Sequence, residues 1–191
     1  MLLKNRSRPR LLTGRFCRQI GFTLIELMIT IALAAILMLV AVPSFVEFQR
    51  NAQLSDAVSN FISAANTARA NAMKQGLNTY LVPNNTTTGW SSGWMVYADS
   101  NWDKVYGAGS DEVVLRHEPL SMAIAINTPG SSTLSGTDKY LLFNGSGYPR
   151  TKTGAFGAAT IVMSNTSRSS SIIIDPAGRV RSCKTGSTGC Q

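Results

Sequence analysis

The chain has 191 residues and a formal charge of +8, from 18 basic and 10 acidic side chains, and it carries one histidine. That length suits one domain with an appendage. The charge does not describe a protein that is basic throughout and built around nucleic acid, because Lys4, Arg6, Arg8, Arg10, Arg15 and Arg18 fall in the first 21 residues without an acid among them.

Residues 1–21 read as a basic leader. Phe22 to Val42 follow, polar only at Thr23, Glu26 and Thr30. As a helix this segment is about 31 Å long at 1.5 Å per residue, which suffices to span a bilayer. Basic residues ahead of such a segment favour an N-terminus kept in the cytoplasm. A conventional cleaved signal peptide fits poorly: Ala41-Val42-Pro43 leads straight to Phe45 and Phe48, and no small-residue cleavage site closes the run. A simple anchor accounts for the length but not for Glu26. An ionised acid in hydrocarbon costs roughly 2–4 kcal/mol, and no Lys or Arg stands within helical reach on its C-terminal side. A cut after Gly21 would place a new α-amine at Phe22, close to Glu26, and the helix dipole favours an acid at that end.

The stretch Gly21-Phe22-Thr23-Leu24-Ile25-Glu26-Leu27 resembles the class III leader signature of type IV pilins and of the pseudopilins of type II secretion. The resemblance implies cleavage between Gly21 and Phe22 by prepilin peptidase and N-methylation of Phe22. It also implies that Glu26 pairs with the terminal amine of a neighbouring subunit during assembly. Pro43 fits the same pattern, and its missing N–H is expected to bend the helix there.

Beyond Pro43 the helical period continues on one face, through Leu54, Val58, Phe61, Ile62, Ala65, Ala72 and Met73, while Gln53, Asp56, Asn60 and Lys74 fall elsewhere. Gly76 is the expected stop. Residues 22–49 thus read as a transmembrane or filament-core helix, 50–76 as its amphipathic half and 77–191 as a β-rich domain. Strands are expected at 79–82, 94–98, 112–118, 122–126, 140–143, 159–163, 171–175 and 179–183, with turn-rich stretches between them. Strands in sequence without intervening helices imply an antiparallel sheet packed on the helix, an α+β domain. Trp94 and Val96 should point inward and Tyr97 to the opposite face. "ARANAM" at 68–73, "GWMVYADSNWD" at 93–103 and "GRVR" at 178–181 resemble the GspH/FimT class of minor pilins and minor pseudopilins. That resemblance implies the type IV pilin fold: a long N-terminal helix packed on an antiparallel β-sheet domain.

Candidate chemistry is sparse. Asp99-x-Asn101-x-Asp103 has the spacing of a calcium-loop start, but Lys104 stands at the glycine position and Ser110 at the twelfth. A turn role for these acids is preferred. His117 has no second histidine for a metal, and Asn144-Gly145-Ser146-Gly147 lacks the leading glycine of a nucleophile elbow. No metal, no cofactor and no enzymatic activity are therefore expected. Cys183 and Cys190, outside the leader that holds Cys17, suggest a disulfide formed in an oxidising compartment.

The last third draws the eye electrostatically, since residues 139–191 hold seven basic groups and one acidic one. Asp175-Pro176-Ala177-Gly178 makes a good type I turn. If a strand starts at once, Arg179 and Arg181 share a face and Val180 takes the other. Were 140–143, 159–163, 171–175 and 179–183 to form a meander, Arg150, Lys152, Arg179 and Arg181 would gather at one end with Arg168 at the other. Lys184 would join if the Cys183–Cys190 loop folds back. In FimT-type minor pilins that take up DNA for transformation, a Gly-Arg-x-Arg motif followed by proline is implicated in DNA binding. Gly178-Arg179-Val180-Arg181 matches it, with Ser182 where the proline would stand. The alternative is a solvated edge strand protected by its charges.

The expectation is thus a minor pilin, a structural subunit of a type IV pilus in its tip or priming complex. Sequence-independent DNA binding for natural transformation is the candidate second role. The alternative is a GspH-like minor pseudopilin of type II secretion without a DNA role. The implied partners are other major and minor pilins, prepilin peptidase, the inner membrane and, for the second role, DNA. The expected location is the inner membrane before assembly, with the domain facing the periplasm, and an extracellular pilus afterwards.

Overall fold

The structure, a computed structural model, describes residues 21–130, 133–188 and 190. Residues 1–20 of the expected leader, Cys17 included, lie outside the described residues. The chain divides into two compact units that meet between Val42 and Pro43. Helix α1, Leu24–Gln75, contains Pro43.

In the first unit the apolar side chains of α1 point outward all round: Ile25, Met28, Ile31, Leu33, Ile36 and Leu37 are each more than half exposed. A helix apolar on every side needs a solvent or a partner that is also apolar. No single helix among the described residues passes as long and apolar enough to cross a membrane. Leu24–Leu39 and Ala41–Gln75 taken together pass that test by length and composition.

In the second unit the helix is amphipathic. Leu54, Ala57, Val58, Phe61, Ala64, Ala65, Ala68 and Ala72 are buried. Two corrections to the expected stripe follow. Ala57, Ala64 and Ala68 belong to it, because a run of alanines lets the helix lie close against a sheet. Met73, expected in the stripe, is about half exposed; it lies over Gly147, where an added Cβ would sit 2.9 Å from its Cγ. Gly76, at φ 70°, ends the helix by donating its N–H to the Ala72 carbonyl (2.8 Å).

Among the described residues nine strands form two antiparallel sheets. The first has the order β3-β2-β1-β5-β6, built from β1 (Thr79–Pro83), β2 (Trp94–Ala98), β3 (Glu112–His117), β5 (Leu141–Phe143) and β6 (Pro149–Arg150). The second has the order β4-β7-β8-β9, from β4 (Ala125–Asn127), β7 (Ala159–Ser164), β8 (Ser169–Ile174) and β9 (Val180–Lys184). The expected single meander of 140–143 with the three later strands is therefore wrong. β5 leaves it to pair with β1, Thr79 opposite Phe143 and Leu81 opposite Leu141. That register puts Leu141 and Phe143 on the face that meets the helix, beside Leu81 and Val96. β7 and β8 cover the core with Ile161, Met163, Ile172 and Ile174, and β9 adds the partly buried Val180. β4 also starts later than expected. The Ile124 N–H bonds to the Ser121 carbonyl (3.0 Å) in a turn that buries Ile124 and leaves Met122 wholly exposed.

The core centres on Phe61, fully buried, which meets Trp90 (centroids 5.6 Å apart, 76°) and Trp94 (5.2 Å, 77°) edge to face. Such pairs contribute about 0.5–1.5 kcal/mol beyond their area burial. Trp94 and Val96 point to the helix as expected. Tyr97 lies on the far face, where Tyr80, Met95, Tyr140 and Leu142 form a second buried cluster. The central strands β1, β2 and β5 of the first sheet are thus buried on both sides, which explains why β2 and β5 read as unbroken apolar runs.

Candidate functional site

The N-terminal residues are built around a helix start. Thr23 sits one residue before α1, its Oγ1 accepts the Glu26 N–H (3.2 Å), and its carbonyl accepts the Leu27 N–H (3.1 Å). Glu26 therefore occupies the third helical position, three residues after a threonine cap, which is the spacing of a capping box. The sequence carried this signal as Thr-x-x-Glu, and the apolar-run reading passed over it. Glu26 and Phe22 are both exposed, Phe22 at 77%. The carboxylate lies on the outer surface of the helix, where a cation from another molecule can reach it.

The second feature is the turn between β8 and β9. The Gly178 N–H bonds to the Asp175 carbonyl (2.8 Å), and Gly178 takes φ 80°. The backbone N–H of Arg179 donates to Asp175 Oδ1 and its Nε to Oδ2, both at 3.0 Å. The Arg179 backbone N–H, aided by its guanidinium, holds the Asp175 carboxyl below its usual range. The Arg179 side chain remains 73% exposed. β9 then runs with Val180 packed against the core and Arg181 opposite Ile173 on the outward face. The expected alternation of Arg179 and Arg181 around Val180 is present. Two guanidiniums on one face repel unless an acid or anion joins them, and Asp175 of the same turn supplies the acid to Arg179.

The other expected members of a basic patch lie elsewhere. Arg150 is in β6 of the first sheet, its guanidinium 3.8 Å from the Phe156 ring centroid and donating to the Gly154 carbonyl (3.3 Å). Lys152 pairs with Asp138 at 2.8 Å and lies over the Tyr140 ring (5.1 Å), on the far face of the first sheet. Lys184 is at the opposite end of β9 from Arg179, paired with Ser170, and lines a hollow with Arg168. Arg150 and Lys152 thus belong with the first sheet, and Arg179, Arg181 and Lys184 with the second, where Lys184 stands at the end of β9 away from Arg179. Cys183 and Cys190 are joined by a disulfide across a Cα–Cα distance of 5.7 Å.

Sequence reasoning missed Arg69. Its Nε donates to the Gly147 carbonyl (3.0 Å) and its Nη2 to the Ala177 carbonyl (3.3 Å), so one guanidinium on α1 holds a turn of each sheet. The signal was an arginine at the end of an apolar helical stripe. The two turns also touch directly, since a Cβ on Gly178 would meet the Gly147 carbonyl. The acids of the 99–111 loop accept backbone N–H groups: Lys104 to Asp99 (3.1 Å), Val105 to Asp103 (2.8 Å) and Gly107 to Asp111 (2.8 Å). Burial pushes the Asp99 carboxyl up, against the pull of the Lys104 and Trp102 N–H groups. His117 is half-buried and stacked on Trp94 (4.3 Å, 15°).

A helix of this design against two antiparallel sheets has known relatives. The family model described as Type II transport protein GspH matches residues 57–178, well over half of the chain. The chain belongs to the GspH family. A second model, the prokaryotic N-terminal methylation motif, matches residues 17–42 of this GspH-family chain. A fimbrial protein of Pseudomonas aeruginosa is 43% identical over 58 residues, which is 30% of this chain and 37% of the relative. The type IV major pilin protein PilA of Myxococcus xanthus is 49% identical over 43 residues, 22% of this chain and 20% of that one. The chain thus spans about a third or less of the length of these curated relatives. Two solved structures share the fold. The P. aeruginosa type IV minor pilin FimU aligns at TM-score 0.51 and 14% identity, over 70% of this chain and 90% of its own. The minor pseudopilin EpsH from the Type 2 Secretion System of Vibrio cholerae aligns at TM-score 0.51 and 10% identity, over 71% and 99%. The expected α+β type IV pilin fold and the GspH/FimT family resemblance agree with these findings.

Proposed function

We propose that this GspH-family protein is a minor pilin, inserted in the inner membrane, cut after Gly21 by prepilin peptidase, N-methylated at Phe22 and built into the tip of a type IV pilus. The reading is carried by a helix that is apolar on every exposed side, with one outward carboxylate, Glu26, in its first turn. In the membrane lipid covers that surface; in a filament the helices of other major and minor pilins do. Glu26 then meets the terminal amine of a neighbouring subunit, which neutralises its charge in an apolar setting. The test is mass spectrometry of the chain in sheared pili. It should begin at N-methylated Phe22, and Glu26→Ala should leave it in the membrane fraction and out of the pili. Another N-terminus, or unchanged incorporation of the variant, defeats the proposal.

A second reading, a minor pseudopilin of type II secretion, is favoured by the description of the matching family and by the likeness to EpsH. Deleting the gene separates the two: the first reading expects loss of pili, the second loss of secretion.

DNA capture in transformation is the candidate additional role. It is supported by the exposed Arg179, one residue before β9, and by Arg181 two residues on, on the same side of the chain. With about two phosphate contacts, log affinity should fall against log salt with a slope of roughly −1.8, about tenfold between 50 and 200 mM. Gel shift of the full chain in detergent against its Arg179→Ala/Arg181→Ala variant decides it; equal binding by both removes the site.

A further inference from the structure

Three features meet at the end of the second unit where α1 enters it, and all belong to that unit, Pro43–Gln191. The first is apolar: Phe45 and Phe48 stand exposed on the helix, at 66% and 69%. The second is a fixed turn. Asn165, between β7 and β8, donates from Nδ2 to the Arg50 carbonyl and to Asn51 Oδ1, each at 3.0 Å. Its Oδ1 accepts the backbone N–H groups of Ser167 (2.9 Å) and Arg168 (2.7 Å). One amide thus shapes the turn and ties it to α1 two residues beyond Phe48.

The third is a polar, cationic hollow of about 500 Å³ beside the turn, lined by Arg168, Lys184 and the serines at 167, 169, 170 and 182. Strand alternation explains its chemistry. Ile174 and Ile172 of β8 face the core, and Ser170 falls on their side; Val180 of β9 packs on the core, and Ser182 and Lys184 fall on its side. The inner face of the second sheet therefore changes from apolar to hydroxyl and cation as it runs toward the 165–168 turn. Arg168 and Lys184 are both exposed, and neither has a carboxylate partner among the described residues. The nearest acid in the adjoining helix, Glu47, stands one turn before Arg50, so Arg50 is not counted with them.

We propose that this end of the domain rests on an anionic phospholipid surface, with Arg168 and Lys184 on headgroup phosphates and Phe45 and Phe48 at the boundary of headgroups and acyl chains. The proposal rests on the reading that α1 spans the inner membrane. Arg50 is eight residues past Val42, about 12 Å of helix at 1.5 Å per residue. The headgroup layer fills about 5–8 Å of such a distance, and the long stems of arginine and lysine cover the remainder. The cations alone would suit any phosphate. Lipid is chosen because Phe45 and Phe48 continue the apolar run of α1 into the same end of the unit, and exposed phenyl rings beside basic residues are the makeup of interfacial anchors. The serines add hydroxyl donors for phosphate oxygens. The site is separate from Arg179, which lies at the opposite end of β9 from Lys184.

The test uses the full chain reconstituted in nanodiscs of phosphatidylcholine, with or without phosphatidylglycerol, and follows amide exchange by mass spectrometry. Exchange in 165–170 and 182–184 should be slower in the anionic discs by about fivefold, the factor that one cation at an anionic surface contributes. The difference should vanish at about 1 M salt, where the screening length is about 3 Å. Exchange in β1 should be the same in both discs. Arg168→Gln/Lys184→Gln should remove the difference while exchanging like the parent in neutral discs. Equal exchange of the parent in both discs overturns the proposal, whatever the variant does; so does a difference that survives in a folded variant. Extraction of the chain from vesicles by alkaline carbonate would defeat the membrane reading and this proposal with it. A chain that resists extraction but shows no lipid dependence defeats this proposal alone. A short DNA duplex added to neutral discs should leave 165–170 unprotected. Protection by the duplex stronger than that by anionic discs, lost in the same variant, would overturn the proposal in favour of nucleic acid.

Discussion

Arg179 is held by the carboxylate four residues before it, and that pairing fixes the direction of charge changes nearby. The ion pair is exposed, so it contributes little stability; its effect is to offset the positive charge that Arg179 presents. Asp175→Asn should therefore strengthen binding of a short duplex by about two- to fivefold, as loss of one like-signed competitor for phosphate does. Gel shifts at low salt check this, and weaker binding by the variant would count against phosphate contact at this turn. Asp99 behaves oppositely. Burial raises its carboxyl, so ionisation costs the folded state. That cost is absent below the unfolded value of about 3.9 and grows as pH rises through the folded one. The melting temperature of Asp99→Asn relative to the parent should climb with pH across this window. A flat or falling difference would show that its backbone N–H partners outweigh the burial. The sequence made the acids of 99–103 legible as turn formers, because Asp and Asn at that spacing cap their own backbone. It did not reveal that one of them is buried, since burial depends on what the loop folds onto.

At the scale of elements, β9 is an edge strand whose far end is closed by the Cys183–Cys190 bridge. A loop this short contributes about 2–3 kcal/mol in the chain-entropy model. Replacing both cysteines by serine should lower unfolding free energy by roughly that amount in denaturant titration, with amide exchange rising in β9 before β7. Unchanged exchange in β9 would mean that its pairing with β8 suffices. Most strands were legible to within a residue or two from apolar alternation and the glycine, serine and proline clusters between them. β6, two residues long, had no period to read. The pairing of β5 with β1 was not legible either. Chain order favours neighbours, whereas the partner was chosen by which edge lets Leu141 and Phe143 reach the helix. That pairing assigns Arg150 and Lys152 to the first sheet, whereas the alternation of Arg179 and Arg181 does not depend on it, because it follows from backbone periodicity alone.

At the scale of the molecule, Arg69 joins what chain order keeps apart. Arg69→Met keeps the apolar stem and removes both donors, so it should cost roughly 1.5–3 kcal/mol for hydrogen bonds from a charged group. Hydrogen exchange should accelerate in the 144–147 and 175–178 turns together; a change confined to one of them would show that the link is not shared. In the proposed filament each subunit is a strand of a rope, pulled lengthwise through its helix. Because one guanidinium on that helix clasps a carbonyl from each β layer, traction there is divided between the layers, and neither peels away before the other yields.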